Sequence, residues 1–242
     1  MTLEVWLEKH PYLQPVAELH RLVDAALATI DIPSAAIPEW AGYVDEFRAG
    51  VPLLQSSKTA ITLHPVERAR QLLTEVLTRT SPRGAGADRW REPGGQRLLG
   101  SKILGRYLGQ VVPAFNSWRD EERWLRNYCP TCGTPPAMAQ LVGKDPGRLR
   151  FLWCDSCGTR WQYRRIACPF CDNRDDHRLA VLDVQGEGGL RIDYCESCRG
   201  YLKTYNGTGS EAVLLADWTS PHLDLLARDR GLKRLAASLY DV

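Results

Sequence analysis

The 242-residue sequence has no run of apolar residues near the roughly 20 that a membrane-spanning helix needs. The apolar stretch around Ala25–Ile32 is broken by Asp31 and stopped by Pro33. The first residues, M-T-L-E-V-W-L-E-K-H, lack the basic start and apolar run of a secretory signal, so a cytoplasmic location is expected. A formal net charge of +2 is too small to argue for nucleic acid by itself. There is no P-loop, no G-x-G-x-x-G after a strand pattern and no G-x-S-x-G. His10, His20, His64, His177 and His222 are scattered, with none at ligand spacing beside a carboxylate, and read as surface or capping residues. No catalytic residue is assigned from these motifs.

The chain also lacks an unpaired cysteine. All 8 fall into four C-x-x-C knuckles, Cys129/Cys132, Cys154/Cys157, Cys168/Cys171 and Cys195/Cys198. In a reducing compartment this pattern reads as metal binding or redox chemistry, not structural disulfides. Two residues between cysteines let both sulfurs reach one ion, and four thiolates close a tetrahedron with zinc–sulfur distances of about 2.3 Å. Soft thiolates favour zinc or iron, and spacing does not choose between them. A closed four-sulfur site leaves no position for a substrate. A dithiol catalyst would want one C-x-x-C at a helix start in a βαβ context, which four knuckles around hairpins do not resemble.

The first half reads as helical. Val16, Leu19, Leu22, Val23, Ala26, Leu27 and Ile30 recur at helical spacing between Pro15 and Pro33. Further amphipathic segments open at Pro38 and Pro65, then come Gln96–Val112 and Ala114–Tyr128, with a Gly- and Pro-rich loop at Pro82–Gly95. Their apolar stripes are taken as helix packing faces rather than a groove.

The pattern changes at Cys129. Met138–Val142 and Leu149–Trp153 flank a Gly/Pro turn, as do Leu179–Val184 and Leu190–Tyr194 around a Gly-rich one. Thr159–Arg165 and Tyr201–Tyr205 follow as aromatic strand candidates. Knuckle, hairpin, knuckle, strand therefore occurs twice, an internal repeat. Cys132 to Cys154 and Cys171 to Cys195 each enclose one hairpin, so sequential pairing of the knuckles is expected. The fold class is α+β: an N-terminal α-helical domain over 1–124, two tandem rubredoxin-like or zinc-ribbon-like four-cysteine metal modules over 125–167 and 168–210, and a C-terminal helical segment over 211–242. Ser220–Leu239 is expected to be helical and to dock on an apolar surface.

The first module carries Arg126, Lys144, Arg148, Arg150, Arg160, Arg164 and Arg165 against Asp145 and Asp155, beside Trp153, Trp161 and Tyr163. A zinc-ribbon nucleic-acid face is one reading. The other is counter-charge to a four-thiolate site, and it is preferred here because the second module shares no such excess.

At the knuckles the chain resembles the FdhE family, bacterial formate dehydrogenase accessory proteins. The resemblance rests on C-P-T-C-G-T-P-P from Cys129, on L-W-C-D-S-C ending at Cys157 with Trp161 and Arg165 beyond, on C-P-F-C from Cys168, and on C-E-S-C from Cys195 with Tyr201-Leu202-Lys203 following. It covers roughly residues 125–205. It implies a cytoplasmic assembly factor for formate dehydrogenase maturation, not an enzyme, with a partner in formate dehydrogenase's catalytic subunit and rubredoxin-like modules that bind iron. By position the ligands of two iron ions would be Cys129, Cys132, Cys154 and Cys157, then Cys168, Cys171, Cys195 and Cys198, with zinc as the alternative. No membrane partner is expected, and self-association stays open. The readings set against this are a nucleic-acid-binding zinc ribbon and an iron or dithiol oxidoreductase.

Overall fold

In the computed structural model the described residues are 1–59, 61, 93–119, 124–144, 147–187, 189–207, 212–236 and 238. Helices occupy α1 (Leu3–Lys9), α2 (Gln14–Ala28), α3 (Val44–Ala49), α4 (Pro93–Tyr107) and α5 (Val111–Trp118) in the first half, and α6 (Ala212–Leu215) and α7 (Pro221–Asp229) near the end. Strands are β1 (Met138–Val142), β2 (Leu149–Trp153), β3 (Arg160–Tyr163), β4 (Leu179–Asp183), β5 (Leu190–Cys195), β6 (Gly200–Asn206) and β7 (Lys233–Arg234). The expected helix after Pro65 and most of the Pro82–Gly95 loop lie outside the described residues.

Each module folds as read: hairpin, then a third antiparallel strand, β1–β2–β3 and β4–β5–β6. The repeat does not show that the two meshes fuse. β1 pairs with β6 in parallel, with Met138 opposite Lys203 and Ala139 opposite Thr204, so one sheet runs β3-β2-β1-β6-β5-β4. A shared sheet satisfies the backbone groups that two separate ribbon edges would expose.

Both faces of this sheet are covered, and the N-terminal helices supply part of each cover. On one face Tyr43, Phe47, Phe115 and Trp124 pack with Leu152, Trp161, Leu202 and three of the cysteines, Cys129, Cys154 and Cys157. On the other, Trp6, Leu7 and Leu13 join Leu214, Leu215, Leu223 and Ala227 against Leu190, Ile192, Tyr201 and Tyr205. Strand alternation makes this division: Met138 and Ala139 are neighbours in sequence and point to opposite cores. A third, smaller core joins Val23 and Leu27 of α2 to Leu99 and Ile103 of α4. The C-terminal segment thus docks on an apolar surface, as expected.

Two helical expectations need correction. The segment Ala114–Tyr128 is helical only as Val111–Trp118 and at Trp124 among the described residues. α7 stops at Asp229, because Gly231 takes a left-handed turn (φ 68°), and Lys233–Arg234 then lie parallel to Gly200–Tyr201.

The turn is held by buried charge. Lys203 of β6 is 1% exposed, with Nζ 2.7 Å from Asp217 Oδ1 and 2.8 Å from Asp224 Oδ2. Arg234 bonds both aspartates, Tyr201 donates to Asp224 at 2.7 Å and Ser238 to Asp217 at 2.8 Å. Such a charge survives burial only because it is paired and hydrogen-bonded on every side. The Y-L-K sequence after the last knuckle therefore ties the C-terminal segment to the sheet.

Candidate metal centres

The eight cysteines gather into two groups, Cys129, Cys132, Cys154 and Cys157, and Cys168, Cys171, Cys195 and Cys198. This is the sequential pairing. The parallel β1/β6 junction sets the two modules in one sheet, with β6 between the two hairpins, and each hairpin carries its own pair of knuckles.

All four knuckles share one backbone design. The amide of the residue after the second cysteine donates to the carbonyl of the first: Gly133 to Cys129 at 2.9 Å, Gly158 to Cys154 at 2.9 Å, Asp172 to Cys168 at 3.0 Å and Arg199 to Cys195 at 2.8 Å. That residue is left-handed in every case, with φ of 81° at Gly133, 72° at Gly158, 53° at Asp172 and 60° at Arg199. Glycine adopts this freely, and a side chain makes it costlier.

The sulfur spacing tests the donor set. Four ligands at about 2.3 Å from a tetrahedral ion stand ~3.8 Å apart, whereas a disulfide would need about 2.05 Å. Cys129 and Cys157 Sγ are 3.5 Å apart, as are Cys132 and Cys154. Cys168 to Cys198 is 3.7 Å and Cys171 to Cys195 is 3.8 Å. The close sulfurs belong to different knuckles, and all eight cysteines are free thiols. The groups fit a thiolate-bound ion.

The electrostatics agree. Burial pushes the Cys129 thiol far above its usual range, while hydrogen bonds from Cys129, Cys154 and Cys157 hold Cys132 far below it. At the second centre burial raises Cys195 but the Cys198 and Ser197 amides outweigh it, and its pKa falls to about 7. Each group offers four sulfurs whose deprotonated form is the ligand a cation takes.

The centres differ in their surroundings. The first places hydroxyls against sulfur: Thr134 Oγ1 is 3.1 Å from both Cys132 and Cys154 Sγ, and Thr159 Oγ1 is 3.1 Å from Cys157 Sγ. The second relies on amides, from Phe170 to Cys168 at 3.4 Å and from Gly200 to Cys198 at 3.3 Å, with Asn173 Nδ2 3.8 Å from Cys195. Three cysteines of the first centre are buried, whereas Cys171 of the second is exposed.

Some basic residues of the first module are used internally, while Arg126, Lys144, Arg164 and Arg165 are exposed. Arg150 is 5% exposed and donates to the Ala167 carbonyl at 2.9 Å. Arg160 stacks 3.7 Å over the Phe151 ring, and Arg164 donates to the Leu125 carbonyl at 3.4 Å. These contacts make part of the basic excess structural. One reading of the histidines is corrected: His10 and His222, 212 positions apart, stack with ring centroids 5.0 Å apart and share Glu187, and His20 is 8% exposed. No local spacing could have signalled this, because only the packing of α1 and α7 on the sheet brings the rings together.

Comparison with known proteins follows the same region. The family model for the FdhE central domain matches residues 128–165. An FdhE homolog of Pseudomonas aeruginosa is 40% identical over 143 residues, covering 54% of this chain and 42% of its own. One from Aquifex aeolicus is 34% identical over 115 residues, covering 46% of this chain and 41% of its own. The matched stretches thus span under half the length of these curated relatives. The crystal structure of the FdhE protein from Pseudomonas aeruginosa superposes with a TM-score of 0.57 at 25% identity, over 95% of this chain and 88% of that one. Among the described residues no helix is long and apolar enough to cross a membrane.

Proposed function

We propose that this chain, from its similarity to FdhE proteins across the four knuckles, is a cytoplasmic accessory protein for formate dehydrogenase maturation that binds the enzyme's catalytic subunit and carries out no reaction of its own. Each of its two four-cysteine groups holds one iron ion, with zinc as the alternative metal. The ligands are Cys129, Cys132, Cys154 and Cys157 in the first and Cys168, Cys171, Cys195 and Cys198 in the second.

The observation that carries this reading is the pair of closed four-sulfur cages set on one continuous sheet. Four sulfurs saturate a tetrahedral ion, so neither cage offers a place for a substrate, and a role in recognition or electron exchange fits better than hydrolysis. Iron would make each cage a one-electron site, and zinc would make it a structural staple. The fused sheet holds the two cages in fixed relation, and the second cage lies nearer solvent through Cys171.

The test is co-purification of the full chain from anaerobic cells that express a formate dehydrogenase, with metal analysis of the isolated protein. The expected result is retention of the catalytic subunit and visible absorption when oxidised, with loss of the subunit and of about half the absorption on changing Cys195 and Cys198 to serine, which opens only the second cage. Colourless protein with stoichiometric zinc from iron-replete cells would reject iron. Failure to retain the subunit at any salt concentration would reject the partner.

A further inference from the structure

Away from the cages, one polar cluster joins three segments distant in the chain. His10 follows α1, Glu187 sits in the turn between β4 and β5, and His222 lies in the first turn of α7. His222 Nε2 is 2.8 Å and His10 Nε2 3.4 Å from the same oxygen, Glu187 Oε2. The three donor atoms lie within 4.8 Å of one another. Behind the rings the Tyr12 hydroxyl touches both Nδ1 atoms, at 2.7 Å for His222 and 3.2 Å for His10. Lys9 donates to the Gly186 carbonyl and pins the turn that presents Glu187.

Counting protons exposes a deficit. The contacts Tyr12–His10, His10–Glu187, Glu187–His222 and His222–Tyr12 close a ring of four. Two neutral imidazoles and a phenol bring one proton each, and an ionised carboxylate brings none. If His222 donates to Glu187 and accepts from Tyr12, His10 must donate Nδ1–H to the phenol oxygen. The His10 Nε2 lone pair then faces a carboxylate lone pair. His10 Nε2 is indeed buried without a hydrogen-bond partner, on a residue only 6% exposed. An unpaired buried acceptor of this kind is costly unless a cation meets it.

We propose that His10, Glu187 and His222 form a third metal site, for one divalent ion of the zinc class. Two imidazoles and a carboxylate are a donor set such ions accept, and they leave a fourth position open, unlike the thiolate cages. Around an ion with bonds of about 2.0–2.2 Å, tetrahedral ligand atoms stand ~3.3–3.6 Å apart. The His10–Glu187 separation already lies there, and the shorter His222–Glu187 contact opens slightly. With both Nε2 lone pairs on the ion, both Nδ1–H groups donate to the two lone pairs of the Tyr12 oxygen, an outer-shell bond that fixes ligating imidazoles. Burial lowers the pKa of both histidines against the raising pull of Glu187, so the rings are held in the neutral form that a metal needs. The ion would staple α1 and α7 to the second module.

The experiment uses the full chain with both four-cysteine cages already filled, titrated with Zn²⁺ by calorimetry. One further equivalent is expected. Glu187→Gln, which keeps the side chain's size, should weaken that uptake about a hundredfold and Tyr12→Phe about tenfold, with thiolate-bound metal unchanged. Co²⁺ bound there should show ligand-field bands without thiolate charge transfer, and Glu187→Gln should abolish them. Absence of a further equivalent in the native chain overturns the proposal. So does an equivalent that Glu187→Gln leaves unchanged, which would place it elsewhere, for example at the exposed Asp175, Asp176 and His177.

Discussion

The Thr131 and Thr159 hydroxyls meet 2.7 Å apart at the first cage, and neither residue is accessible to solvent. Thr159 also reaches Cys157, so one buried hydroxyl pair links the knuckles of the two ends of the hairpin to the sulfur cage. Hydrogen bonds to a charged acceptor contribute about 1.5–3 kcal/mol. Thr159→Val removes one such bond, leaves Thr131 unpaired and keeps the volume. Metal release to a chromogenic chelator from the first cage is expected to become about tenfold easier or more. Unchanged release would show that the hydroxyls do not stabilise thiolate charge.

The two cages should release metal unequally. Burial, hydroxyl donors and glycine at the left-handed position all favour the first. The second has Cys171 exposed and spends roughly 1–2 kcal/mol at each of Asp172 and Arg199 in a backbone conformation that suits glycine. Two variants, each with one set of four cysteines changed to serine, give the comparison in a chelator titration. The set Cys168, Cys171, Cys195 and Cys198 is expected to lose its ion first. Equal retention would remove the backbone and burial arguments together.

Lys203 should matter for stability without touching either cage. Lys203→Met leaves Asp217 and Asp224 buried with only Arg234 to offset them, and a broken buried pair costs about 3–5 kcal/mol. Denaturant unfolding measures this. The pH dependence follows from Asp217, where burial raises the pKa but Lys203 and Arg234 more than offset it, leaving the carboxyl below its ordinary value. A depressed carboxylate stabilises the fold above its unfolded pKa and loses that contribution as pH falls through the folded value. The native chain should therefore lose stability at acid pH, and Lys203→Met should lose less over the same range.

His20 offers a second, separable pH effect. It stacks on Trp218 with ring centroids 4.5 Å apart, and burial lowers its pKa from 6.5 to about 4. Between those values the unfolded chain binds a proton that the folded chain does not, so stability rises with pH across the window. It is complete above about pH 6.5 and declines towards pH 4, by up to ~3 kcal/mol at 1.36 kcal/mol per unit. His20→Gln should flatten that part of the profile. A variant with the native slope would assign the slope to other groups.

Sequence alone determined the chemistry of the cages. Four C-x-x-C knuckles with a hairpin between each pair can bring their sulfurs together in few ways, because knuckle geometry is local. The hairpin strands were legible for the same reason, since apolar residues and Gly-rich turns encode them within a few residues. The left-handed positions at Gly133 and Gly158 could be read from residue type, and Asp172 and Arg199 follow them by analogy of place. Tertiary structure decided the rest. The parallel pairing of Met138 with Lys203 joins segments that no local pattern relates, and it turns two ribbons into one sheet. The docking of the strand after α7 depends on Arg234 finding Asp217 and Asp224, and the His10–Glu187–His222 cluster depends on two helices meeting over one turn. Short-range periodicity carries no information about which of these partners meet, because that is set by which buried surfaces and charges can be satisfied together.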